Sequence, residues 1–108
     1  IAALGDMLEL GTDSKRMHRE VGAFLASQGI GHLLACGELG RELAEGARQA
    51  GMASDSITEL PDAAAAAVAL ARMVRQGDVV LVKASRGMRM EQVVEAVTGM
   101  RRVARKAC

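Results

Sequence analysis

Tryptophan and tyrosine are absent from this chain, and Phe24 is its one aromatic residue. Single-stranded nucleic acid or an adenine ring therefore has almost no flat side chain to stack on, and any base-binding surface must lie elsewhere. Cysteine is scarce too. Cys36 and Cys108 are too few and too far apart to suggest a metal site or a disulfide framework, and Cys36 closes an apolar run, which reads as a buried thiol in a reducing compartment. No stretch approaches the ~18 continuous apolar residues of a membrane span, and no basic-then-apolar signal segment opens the sequence. An excess of one charge is also missing: 14 basic residues face 13 acidic ones, a net charge of +1. No global field then favours nucleic acid or an anionic membrane, and the cytoplasm is the default compartment.

What is present is a repeated unit. Ile1 to Leu4 reads as a short apolar strand, followed by Gly5-Asp6-Met7 and a polar loop through Gly11. Thr12, Asp13 or Ser14 then caps a helix running to about Gln28, with Met17, Val21, Phe24 and Leu25 as its buried face. Gly29 and Gly31 break the chain before a strand at Leu33 to Cys36. Gly37-Glu38 leads into a helix with Leu39, Leu43 and Ala47 on one side, and Gly51 ends it. A weaker strand at Ser56 to Leu60 precedes Pro61, which suits the first turn of a helix, and Asp62, which complements its dipole. The alanine-rich run to Gln76 has high helix propensity, with Val68, Leu70, Ala71 and Val74 as its apolar residues.

The strongest strand is Val79 to Val82, four apolar residues in a row, read as buried on both faces. After it, Met90, Val93, Val94 and Val97 carry the spacing of one helix face. Strands alternating with helices across short loops require parallel pairing and right-handed crossovers. The expected fold is therefore α/β: a Rossmann-like three-layer domain with a mainly parallel sheet and helices on both faces. Residues 1–108 form a single domain without an internal boundary. Because Ile1 already lies in a strand-like run, the domain is expected to be partial, lacking its first elements.

Parallel pairing puts every strand's carboxyl end on one edge of the sheet, where α/β proteins hold anionic ligands. Gly5-Asp6, Gly37-Glu38, Pro61-Asp62 and Lys83 to Gly87 are candidates for one crevice. Lys83 ends a strand read as buried, where an unpaired cation is costly, so it must reach solvent, a carboxylate or a ligand anion. Arg86 has the geometry to grip a carboxylate bidentately, the alternative being a solvated arginine. Ser85 either caps the next helix or donates to a ligand. Asp6 either pairs with Lys83, holds a water or closes its own turn, and Glu9 caps or bridges to another domain. His18 lies beside an apolar stripe and reads as structural, with no second histidine near it for a metal. Met88 and Met90 read as packing residues. Arg101, Arg102, Arg105 and Lys106 read as a solvated basic tail. On these residues alone, a small nucleotide- or phosphate-binding module and a non-catalytic interaction domain both remain open.

Two segments taken together carry a family resemblance. LGDMLELG at Leu4 to Gly11, with His18, Glu20, Val21 and Gly22 after it, and LVKASRGMRMEQVV at Leu81 to Val94 resemble the carboxyl-terminal domain of the Mur ligases. The resemblance extends over almost the whole chain, and within the family it is strongest to the branch whose incoming group is D-alanyl-D-alanine. It implies a bacterial cytoplasmic enzyme of peptidoglycan precursor synthesis. ATP, with Mg2+, would phosphorylate the carboxylate of a UDP-N-acetylmuramoyl-tripeptide, and the amine of D-alanyl-D-alanine would attack the acyl phosphate. It implies that Asp6 lies near the nucleotide and substrate side of an interdomain cleft, and Lys83, Ser85, Arg86, Asp6 and Glu9 are the expected substrate-binding residues. The departures are equally specific. No G-x-x-x-x-G-K-[ST] pattern occurs, and the family's opening strand with its arginine and the following loop are absent, so ATP and Mg2+ are expected to bind mainly outside this fragment and catalysis is not expected of it alone. Ala84 stands where the family often has glycine.

Overall fold

The computed structural model describes residues 1–6, 11–83 and 91–100. Within them the expected alternation is realised: β1 (Ala2–Leu4), α1 (Ser14–Ser27), β2 (Leu33–Cys36), α2 (Gly40–Gln49), β3 (Ile57–Leu60), α3 (Ala63–Met73), β4 (Leu81–Lys83) and α4 (Glu91–Met100). The strands form one parallel sheet in the order β3-β2-β1-β4. Each helix returns the chain to the edge from which it left, which is what parallel neighbours require.

The side-chain alternation of the strands divides the core into two. Ala2, Leu4, Leu33, Ala35 and Ile57 point to the face covered by α1 and α2, where Leu25, Leu43, Ala44 and Ala47 meet them. Ala3, Leu34 and Cys36 point to the other, against Ala63, Ala66 and Leu70 of α3 and Val93 of α4. The first layer is set by two glycines. A Cβ on Gly22 would overlap the carbonyl oxygen of Leu43, and one on Gly46 would overlap the carbonyl oxygen of Arg19. The helix backbones therefore touch, and Arg19 bridges to Glu42 across them at 2.5 Å. Gly29 and Gly51 stop the two helices with φ of +74° and +103°, a conformation that costs other residues a Cβ clash.

Several expectations need correction. Val79 to Val82 is not a strand buried on both faces. β4 is an edge strand of three residues with Leu81 46% exposed, and Val79 ahead of it is 83% exposed; among the described residues β1 is its one neighbour in the sheet, and the core cluster under α1 and α2 includes none of its side chains. Phe24 does not face the core but is 61% exposed. The close approach at Gly22 turns His18, Gly22 and Leu25 inward instead, one residue round from the apolar stripe. Val68 likewise faces outward from α3, whose inner face is Ala63, Ala66 and Leu70. The third strand starts at Ile57, after a 3-10 turn over Ser54–Ser56. Pro61 precedes α3 rather than entering it: Asp62 is the cap, accepting from the Ala65 amide at 2.8 Å. No helix among the described residues is long and apolar enough to cross a membrane.

Candidate functional site

The strand order singles out one position on the carboxyl edge. The connections after β1 and β2 pass over the α1/α2 face, whereas the connection after β3 passes over the other face and brings β4 in beside β1. Neighbouring strands whose following helices lie on opposite faces open a crevice between them, the usual ligand position of a doubly wound sheet. Two pairs meet that condition, β2 with β3 and β1 with β4, and the second is the point at which the strand order reverses. Leu4 is in register with Lys83, and the Gly5 amide donates to the Lys83 carbonyl at 2.9 Å. Asp6 and Lys83 thus stand side by side at the points from which residues 7–10 and 84–90 continue.

The other two strand-to-helix turns already hold an anion of the chain's own. Asp6, 5% exposed, accepts from the Leu39 amide at 2.8 Å through Oδ1 and from the Glu38 amide at 3.2 Å through Oδ2. That places a carboxylate on the positive end of α2, where free amides and the helix dipole favour it. At α3 Asp62 does the same locally. The amino ends of α2 and α3 are therefore occupied. An external anion arriving at this edge is left with the β1/β4 side, where Lys83 is exposed.

Further titratable groups lie around this frame. Cys36, at the end of β2, is fully buried, and its thiol is pushed up to about 11, chiefly by burial and then by the negative charges of Asp6 and Asp62. A thiol so held is protonated at neutral pH and a poor nucleophile. His18 is fully buried in α1, its Nδ1 2.5 Å from the Ser14 carbonyl oxygen. His32 lies at the opposite, amino edge of the sheet, its Nε2 2.8 Å from Thr58 Oγ1, and burial lowers its pKa. The described residues contain no group of three or more His, Cys, Asp or Glu side chains able to hold a metal ion. A separate groove of about 380 Å³ runs between β4 and α4, lined by Val80, Leu81, Val82, Val94, Val97 and Thr98; none of the crevice residues lines it.

Of the residues singled out in the sequence, Asp6 and Lys83 lie at the ends of neighbouring strands, but the Asp6 carboxylate is engaged by the α2 amides instead of pairing with Lys83, while Glu9, Ser85 and Arg86 lie outside the described residues, as do Met88, Met90 and the basic tail. The link from Asp6 to α2 is absent from the sequence reading. Its one signal is a missing cap: Gly37-Glu38-Leu39 places Leu39 at the N-cap, a residue with no side-chain acceptor, so the amides there need an acceptor from elsewhere in the fold.

Residues 1–86 match the family model described as Mur ligase, glutamate ligase domain. The chain is 36% identical over 92 residues to the UDP-N-acetylmuramoyl-tripeptide--D-alanyl-D-alanine ligase of Bacillus subtilis (strain 168), a match covering 85% of this chain and 20% of that protein. It is 34% identical over 101 residues to the ligase of the same name from Mycobacterium leprae (strain TN), covering 91% and 19%. A crystal structure of MurF from Acinetobacter baumannii superimposes with a TM-score of 0.70 at 27% identity, covering 87% of this chain and 21% of that one. The chain thus spans about a fifth of the length of these relatives.

Proposed function

Because the chain belongs to the Mur ligase family, we propose that it is the substrate-side, carboxyl-terminal domain, in partial form, of a bacterial cytoplasmic ligase that adds D-alanyl-D-alanine to a UDP-N-acetylmuramoyl-tripeptide. The names of its relatives supply the reaction. The observation that carries the reading to particular residues is the β1/β4 crevice: the two segments that resemble the family most closely continue from its adjacent strand ends, Gly5-Asp6 and Lys83.

In this reading Lys83 and Arg86 meet the carboxylate of the incoming dipeptide, Arg86 through its bidentate fork, with Ser85 and Glu9 on the same wall. Asp6 stands behind them. ATP and Mg2+, which the family resemblance implies, do not fit this chain by themselves. The sequence has no phosphate-binding loop, and the described residues gather no metal-ligand cluster. Their binding is assigned to the rest of a longer polypeptide, so the 108 residues alone are expected to turn over no ATP.

A chimeric enzyme tests the proposal. The carboxyl-terminal fifth of the Bacillus subtilis ligase is replaced by this chain, and product is followed by mass spectrometry with UDP-precursor, ATP and D-alanyl-D-alanine. The expected result is dipeptide-dependent ligation by the chimera and none by the isolated chain. A folded chimera that still binds UDP-precursor but makes no product would contradict the reading, as would ATP turnover by the chain alone.

A further inference from the structure

Asp6 and His18 are the two buried polar or charged residues of the described chain. His18 is engaged within its own helix, whereas Asp6 reaches across to another element. Both of its carboxylate oxygens accept backbone amides at the amino end of α2, more than 30 residues away in sequence. Directly before it, Gly5 donates to Lys83 of β4. The end of β1 is thus fastened on both sides, to the β2–α2 turn through Asp6 and to the last residue of β4 through Gly5. The turn it grips has little freedom of its own, because α2 lies hard against β2: a Cβ on Gly40 would fall 2.7 Å from the Ala35 carbonyl oxygen.

We propose that Asp6 is a positioning residue of the crevice, a buried strut that holds the start of the β1–α1 connection and, through Gly5, Lys83 in a fixed relation to α2, and that it does not contact substrate. The inference rests on the ligase reading for what is positioned, but on the hydrogen bonds alone for the strut. A substrate ligand must be reachable from the crevice. Here the carboxylate is turned to the α2 amides, one on each oxygen, and the side chain is nearly closed to solvent. Displacing those amides would leave donors at a helix end without an acceptor, which is costly when they are buried.

The test pairs hydrogen exchange in this chain with kinetics in the chimeric ligase described above, using Asp6→Asn, which keeps size and one acceptor, and Asp6→Ala. Loss of a charge-assisted bond should speed exchange of the Leu39 amide about 10- to 150-fold in Asp6→Asn, while the Ala65 amide, held by Asp62, is unchanged. In the chimera, assayed well below its melting temperature, kcat should fall by about 10-fold or more, with KM for D-alanyl-D-alanine altered by less than about 2-fold. Formate, a carboxylate small enough for the vacated corner, should restore part of the rate in Asp6→Ala. A raised KM with unchanged kcat and a still protected Leu39 amide would make Asp6 a ligand and overturn the proposal. A lower melting temperature with full kcat would make it merely structural and overturn it equally. A folded wild-type chimera that binds UDP-precursor yet makes no product would sink the ligase reading and the positioning role with it, while Leu39 exchange would still decide whether the strut exists.

Discussion

The two faces of the sheet are covered in different ways. On one, α1 and α2 touch backbone to backbone at Gly22 and Gly46, tied by Arg19 and Glu42. On the other, α3 and α4 present alanine, leucine and valine, and the layer opens beside β4 into the apolar groove that reaches Leu81. The two edges differ in the same sense. β3 carries Glu59, bridged to Arg48 at 3.0 Å, and Thr58 beside His32, with Pro61 following. Those are the polar and proline features that discourage a further strand. β4 carries none of them before Lys83; Leu81 is exposed on it, and Val79 is exposed just ahead of it. Among the described residues, the β3 edge and the α1/α2 face carry the polar, proline and close-packed features, and the β4 edge next to the crevice is apolar and exposed.

The sharpest way to break this contrast is Gly46→Ala. In an ordinary helix interior that change stabilises by about 1 kcal/mol. Here the added methyl meets the Arg19 carbonyl, so a loss of about 1 to 3 kcal/mol is expected, read as a melting temperature lower by about 4 to 20 °C. A stabilised Gly46→Ala protein would show that the helices are not in backbone contact.

Alkaline pH probes the second layer, through Cys36. Folding raises its thiol from an ordinary value of 9.0 to about 11. The folded state therefore holds its proton more tightly, and the associated stability is complete below pH 9 and declines as pH rises towards 11. Chemical denaturation across that window should show a decline in wild type that is flattened in Cys36→Ala. His32 acts in the opposite range. Its lowered pKa means that the unfolded chain takes up a proton first, so stability should fall as pH drops below about 6.5. A flat profile from pH 5 to 7 would remove His32 from this account.

The smallest effect on stability is expected at the open edge. Leu81→Lys replaces a half-exposed apolar side chain and should change stability by no more than about 0.5 kcal/mol. It should, however, reduce concentration-dependent self-association, because charge on an edge strand opposes further pairing. Sedimentation of both proteins over a wide concentration range decides this. A wild-type chain that stays monomeric throughout would mean that the β4 edge is not sticky.

Much of the fold is legible in local pattern. Leu33 to Cys36 is bounded by glycines and forms a strand with those limits, and Pro61-Asp62 announces the start of α3. What local pattern cannot carry is position in the sheet. An unbroken apolar run such as Val79 to Val82 has the same composition whether it lies at the centre or on an edge awaiting a neighbour. Phe24 departs from its expected place for a related reason: the rotation of α1 is set by Gly22 against Leu43, a contact between helices that no periodicity within one helix contains. The crevice was half visible. Parallel pairing put Asp6 and Lys83 on one edge, but the strand order that makes them neighbours, and the grip of Asp6 on amides beyond α1, depend on tertiary structure.

The central claim is that the end of β4 acts on substrate from the β1/β4 crevice, and Lys83→Met in the chimeric ligase tests it most directly. Steady-state ligation with varied D-alanyl-D-alanine, together with thermal melts, should show kcat/KM reduced about 10- to 150-fold, the loss expected for one charge-assisted contact, with the melting temperature unchanged because Lys83 is exposed. Wild-type kinetics in Lys83→Met, or a loss of activity matched by a loss of stability, would contradict the account.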